Sequence, residues 1–94
     1  MDPMFAISRF HDVDDAFLSQ LDTVAEFWRA KEGNVFVEVL RNIDDQGLCA
    51  LLSRWENVRA YRYAFSGYDA KMLLTPVFLK AVDEPSAYLR PDEF

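Results

Sequence analysis

Hydrophobic positions recur along this chain with two different periods. From Met4 to His11 ("MFAISRFH") the residues are apolar and favour extended backbone, and Asp12, Asp14 and Asp15 end the run, which predicts a strand. The period then lengthens. Phe17, Leu21, Val24 and Trp28 fall at i, i+4, i+7 and i+11, the stripe of an amphipathic helix, and Leu18, Ala25 and Phe27 widen its apolar face. Asp14 and Asp15 suit the positive end of that helix, and Gly33 supplies a left-handed stop. "NVFVEVLRN" (Asn34–Asn42) and "GLCALLSRW" (Gly47–Trp55) are two further strand-like runs, separated by turn chemistry and therefore read as a hairpin. Asn57 is a suitable N-cap for a second helix beginning at Val58. Its predicted inner stripe carries Tyr61, Ala64 or Phe65, Tyr68 and Met72. Gly67 weakens this helix, Pro76 should kink or restart it, and helical character continues to about Val82. A short last strand follows Pro85 in "EPSAYLR", and the tail "PDEF" is expected to be loose.

The predicted order is β-α-β-β-α-β, with no repeat, linker or low-complexity tract, so residues 1–94 are expected to form one unit. Right-handed crossovers place both helices on one face of a four-stranded antiparallel sheet, the α+β ferredoxin-like arrangement. Alternation assigns the strand residues to faces. Met4, Ala6, Ser8 and Phe10 oppose Phe5, Ile7 and Arg9, while Cys49, Leu51, Ser53 and Trp55 oppose Leu48, Ala50, Leu52 and Arg54. Both faces are largely apolar, and two helices cover one of them. The expected remedy is a homodimer packed sheet to sheet about a two-fold axis. Arg9, Arg41 and Arg54 are assigned to that dimer side, with Glu38 on the opposite parity of its own strand.

Composition narrows the function classes. Hydrophobic residues make up 51% of only 94, a high apolar load for so short a chain. The net charge of −6 argues against nucleic acid and against anionic membranes as partners. The opening "MDPMFAISRF" is acidic, with an apolar run too short for a secretory signal, and no stretch approaches a membrane span. A soluble cytoplasmic protein is expected. Cys49 is the single cysteine and sits in "LCALL", which suggests a buried small hydrophobe. One histidine and one cysteine, far apart, do not match metal-ligand spacing, and no glycine-rich phosphate loop or nucleophile elbow occurs.

The chemistry concentrates in "SRWENVRAYRYAFSGYDAKM" (residues 53–72). Trp55 closes a strand on the helix side, where it either anchors the core or stacks on a planar molecule. Tyr61, Tyr68 and Met72 share the predicted stripe. Tyrosine is a costly choice for a sealed core because each hydroxyl needs a partner, so two on one stripe suggest a partly open cavity. Ser8 and Phe10 face the same space from the first strand, Ser8 offering a hydroxyl to backbone or to a ligand oxygen. His11 reads mainly as a surface residue. Asp69 could serve as a base only if burial raised its pKa, and reads better as a solvated helix residue.

The junction "LLSRWENVRAYRYAF", with Trp55, Glu56, Asn57 and Tyr61, resembles the antibiotic biosynthesis monooxygenase family of the dimeric α/β-barrel superfamily. The continuation "YDAKM…P…AVDEPSAY" is similar to an actinobacterial branch of it, so the resemblance spans nearly the whole chain. It implies a homodimeric barrel with a pocket between the sheet and helices of each monomer. It also implies oxidation of a small hydrophobic aromatic, a quinol or polyketide-like molecule, by molecular oxygen without flavin, haem or metal. The substrate-binding positions that follow are Ser8, Phe10, Trp55, Tyr61, Tyr68 and Met72, with no catalytic base assigned. Haem-degrading members of the superfamily carry Asn, Trp and His where this chain has Ser8, Ala64 and Leu74, so that branch does not fit. Many ordinary members also place a histidine where Ala64 or Asp69 stands here. A non-enzymatic ligand-binding module, or an isomerase or cyclase working by proton transfer alone, therefore stay open beside the oxygenase.

Overall fold

The computed structural model describes residues 2–94. Strand β1 (Met4–Phe10) leads into helix α1 (Asp15–Arg29), followed by β2 (Asn34–Arg41), β3 (Cys49–Trp55), α2 (Val58–Tyr63), α3 (Tyr68–Phe78) and β4 (Ala87–Leu89). The four strands form one sheet in the order β2-β3-β1-β4, and every pairing is antiparallel. This is the ferredoxin-like β-α-β-β-α-β arrangement that the periods predict. Among the described residues no helix is long and apolar enough to cross a membrane.

Local chemistry sets the boundaries. Strand β1 ends at Phe10, one residue before the expected His11, because Asp12 turns the chain with a φ of 54°. The Asp14 carboxylate accepts from the Phe17 N–H at 2.8 Å and starts α1, and the Asn57 side chain accepts from the Ala60 N–H at 2.8 Å and starts α2. Gly33 has φ 86°, and a Cβ there would lie 2.5 Å from the Ala60 Cβ, so only glycine lets the α1–β2 turn pack on α2.

The second helical stretch departs from expectation in three ways. It is two helices, because Gly67 adopts φ 94° and ψ 165° and breaks the ladder between α2 and α3. Pro76 does not restart α3 but lies within it. The carbonyl it leaves free belongs to Met72, which is exposed like Pro76 itself, so water can satisfy that group. And α3 stops at Phe78 rather than near Val82, since the Val82 N–H donates to the Arg9 carbonyl at 2.8 Å and draws the chain onto the edge of β1.

The register gives each face its residues. Ala6–Ser53–Val37, Ser8–Leu51–Val39 and Phe10–Cys49–Arg41 run across the inner face, and Phe5–Arg54–Phe36, Ile7–Leu52–Glu38 and Arg9–Ala50–Leu40 across the outer one. One expectation is corrected here. Glu38 shares the outer face with Arg9 and Arg54, and Arg41 lies on the inner parity at the exposed strand end. Strand β2 is apolar on both parities, so its sequence left the two equivalent; the pairing with β3 decides.

Candidate functional site

The inner face of the sheet meets α1, α2 and α3 in a cluster of aromatic rings. Phe10, Trp28 and Trp55 are fully buried within it. Trp28 of α1 is the hub. Its ring meets Trp55 edge-on at 5.4 Å, Tyr61 at 5.9 Å and Phe65 at 5.6 Å, and stacks on Phe78 at 5.6 Å with 30° between planes. Trp55 and Tyr61 touch at 5.7 Å, and Phe10 joins the group through Phe78 at 6.1 Å. These separations lie in the range where edge-to-face and offset geometries are attractive.

The polar groups in this apolar surround differ in how they are satisfied. The Trp55 indole N–H donates to the Ser53 hydroxyl at 2.9 Å, both residues being fully buried. Their spacing of two on β3 puts them on one face, so Trp55 carries its partner with it. Burial raises the Tyr61 phenol above its ordinary pKa, an effect that hydrogen bonding with Ser86 partly offsets. Tyr61 therefore stays protonated at neutral pH. The Trp28 indole N–H has no hydrogen-bond partner among the described residues, although its residue is 1% exposed. Leaving such a donor unpaired costs about 1–3 kcal/mol.

A cleft of 120 Å³ opens beside the cluster, lined by Phe65, Ala70, Lys71, Leu74, Thr75 and Phe78. Its size decides what could enter without rearrangement. A cavity on the order of 150 Å³ holds one benzene-sized ring, whereas drug-sized ligands occupy roughly 300 Å³ or more. One ring nearly fits; a polycycle needs Phe65 to move. Phe65 is half-buried and lies two residues before the break at Gly67. A larger cleft of 270 Å³ lies between the α1–β2 turn and the start of α2, lined by residues such as Glu32, Glu56 and Arg59. None of the residues expected from the sequence lines it.

The six residues named from the sequence therefore separate. Ser8, Phe10 and Trp55 are buried on the inner face, and Tyr61 is half-buried against Trp28 and Trp55. Tyr68 and Met72 are corrected: they are 76% and 60% exposed and do not share a stripe with Tyr61. Gly67 resets the helical phase, so a stripe extended through it points the wrong way. The inner stripe of α3 is Ala70, Leu74 and Val77. His11 and Asp69 are both exposed. Trp28 and Phe65, expected on helical stripes, and Phe78, to which the sequence assigned no role, link the cluster to its cleft. The available signal was the indole on the α1 stripe, since a buried tryptophan always brings one N–H that needs a partner.

No protein-family profile matches the chain, and no curated protein matches its sequence. Solved structures do match. A variant of SnoaB, a cofactor-independent oxygenase from Streptomyces nogalater, superposes with a TM-score of 0.82 at 19% identity, over 97% of this chain and 95% of that one. Rv0793 from Mycobacterium tuberculosis gives 0.72 at 19% identity, over 92% and 90% of the two chains. A structure described as an antibiotic biosynthesis monooxygenase gives 0.72 at 12% identity, over 92% and 94%. At these identities the likeness is one of fold. The chain has the fold of the antibiotic biosynthesis monooxygenases, as its resemblance implied.

Proposed function

We propose that the protein is a cofactor-independent monooxygenase for a small hydrophobic phenol or quinol, bound against Trp55 and Tyr61 from the cleft beside Phe65. The observation that carries this reading is the buried aromatic cluster holding a protonated Tyr61. The oxygenase-like fold around it supplies the choice of chemistry. An apolar, ring-lined site favours planar substrates and keeps water from the reacting carbon. A phenol bearing a free para C–H reacts with one O₂ to give a para-quinone and one water. The phenolate passes one electron to O₂, and the radical pair joins as a C–O bond at the para carbon. The resulting hydroperoxide loses water. One oxygen atom stays in the ring and the other leaves in water, whose two hydrogens are the phenolic proton, returned to the peroxide oxygen, and the proton of the para C–H. Tyr61 donates to the substrate oxygen as its negative charge develops.

The same reading takes the protein as a homodimer joined through the outer face. Phe5, Phe36, Ile7, Leu52 and Leu40 share that face, and Ile7 and Leu40 are 39% and 44% exposed. Arg54 lies over the Phe5 ring at 5.4 Å with a buried Nε–H that has no acceptor among the described residues, and Glu38 stands on the same face. A two-fold copy brings this mixed surface against itself, carboxylate and guanidinium included.

A second reading has one observation in its favour: Asp69, the side chain considered as a base, faces solvent, as does His11. It makes the protein a binding module for a small aromatic ligand. Turnover of single-ring phenols by metal-free protein under ¹⁸O₂ separates the two. One labelled atom per quinone supports the monooxygenase. Ligand binding with no label in any product establishes the module instead.

A further inference from the structure

We infer that the Trp28 indole N–H is the recognition donor of this site, selecting planar aromatic ligands that carry an acceptor oxygen on or next to the ring. The inference rests on the core being a ligand site, as proposed above, and adds which atom discriminates among ligands.

Three observations meet at this residue. The N–H is buried and unpartnered, whereas the other buried indole, on Trp55, is bonded to Ser53. Trp28 touches both Phe65 and Phe78, the two rings that line the cleft. And Phe65 is half-buried and sits two residues before Gly67, whose φ of 94° breaks the ladder between α2 and α3. A ring taking the place of Phe65 lies against Trp28 and Phe78, each of which Phe65 now meets at 5.6 Å. A carbonyl or phenolate oxygen on that ring gains a hydrogen bond from a donor that otherwise has none. A hydrocarbon of the same shape gains only the burial. The unmet donor thus gives selectivity without a charged group in the core, because the penalty of the orphan N–H is already present in the free protein and is removed by the right ligand. Tyr61, 5.9 Å from Trp28 between ring centres, offers a second donor to a ligand with two oxygens.

The test compares two planar isosteres, acetophenone and α-methylstyrene, which differ by C=O against C=CH₂. Calorimetry on the wild-type protein is expected to show acetophenone binding about tenfold tighter, equivalent to about 1.4 kcal/mol. In Trp28→Phe the preference falls to about unity, while in Tyr68→Phe, at an exposed position, it persists. Preference retained in Trp28→Phe overturns the inference and leaves the ligand site standing. Binding of neither compound overturns both. The wild-type protein provides a check that does not depend on the folding of any variant. Its ¹⁵N-labelled Trp28 indole resonance moves downfield on adding acetophenone and stays in place with α-methylstyrene. An indole shift confined to Trp55 contradicts the assignment.

Discussion

On the inner face of the sheet Met4, Phe10, Leu51 and Trp55 are sealed beneath the helices. On the outer face Ile7, Leu40 and Tyr88 keep between 39% and 49% of their surface in contact with solvent. The strands that supply the two faces are about equally apolar, so composition does not distinguish them. What differs is the polar chemistry placed on each. Inside, the polar atoms are single neutral donors and hydroxyls: Ser8, Ser53, the Tyr61 phenol and two indole N–H groups. Outside they are ions, Arg9, Arg54 and Glu38, set among apolar neighbours. Neutral donors in a ring-lined space suit a small uncharged ligand. Mixed ions on an apolar plane suit a second protein surface, where paired charges fix register.

The largest expected effect comes from truncating the same kind of contact on each face. Trp55→Ala removes a fully buried indole and should cost about 3–5 kcal/mol in urea unfolding. Ile7→Ala on the outer face costs less than about 0.5 kcal/mol if that face is bare. If the face is a dimer interface, the loss is larger and grows on dilution, because dissociation then accompanies unfolding. Next in size, Leu52→Asp places a charge at the centre of the outer face. Light scattering should then give the single-chain mass of 10.9 kDa where the wild type gives twice that. Circular dichroism should be unchanged, since the inner core is untouched. A wild type that already runs at the single-chain mass contradicts the proposed dimer.

The smallest effect concerns the ion pair that joins the outer face to the β4 approach. Arg9 donates to both oxygens of Glu84 at 2.7 Å, and these bonds hold the Glu84 carboxyl below its ordinary value of 4.5. A group whose folded pKa is depressed contributes fully above its unfolded pKa, and the contribution disappears as pH falls through the folded one. The stability difference between wild type and Glu84→Gln should therefore be present at neutral pH and vanish below the carboxylate range. Both side chains are well exposed, so the difference is small and salt-sensitive. A difference that survives at low pH assigns it to packing rather than to charge.

How far the sequence could be read depended on whether the relevant information was local. The α1 stripe of Phe17, Leu21, Val24 and Trp28 is unbroken, and all four residues are buried as the spacing requires. Asn57 was legible as a cap, and the parity of β1 and β3 placed Ser8, Phe10, Ser53 and Trp55 on one face. Past Gly67 the same method failed. A periodicity is meaningful only while φ and ψ stay helical, and one residue at φ 94° turned Tyr68 and Met72 outward. The Ser53–Trp55 bond follows from a spacing of two. The vacancy at the Trp28 N–H does not follow from any spacing, because it depends on which side chains from α2 and α3 arrive around it. The parity of β2 likewise needed its partner strand.

The most direct test of the inner-face site sets Tyr61 against Tyr68. Oxygen uptake with a single-ring phenol bearing a free para C–H would be measured on metal-free protein, aerobically and anaerobically, for the wild type, Tyr61→Phe and Tyr68→Phe. The account predicts oxygen-dependent turnover that falls at least about tenfold in Tyr61→Phe, through loss of one hydrogen bond to developing charge, and is unchanged in Tyr68→Phe. Turnover that survives in Tyr61→Phe and is lost in Tyr68→Phe would move the chemistry to the exposed face of α3 and contradict it.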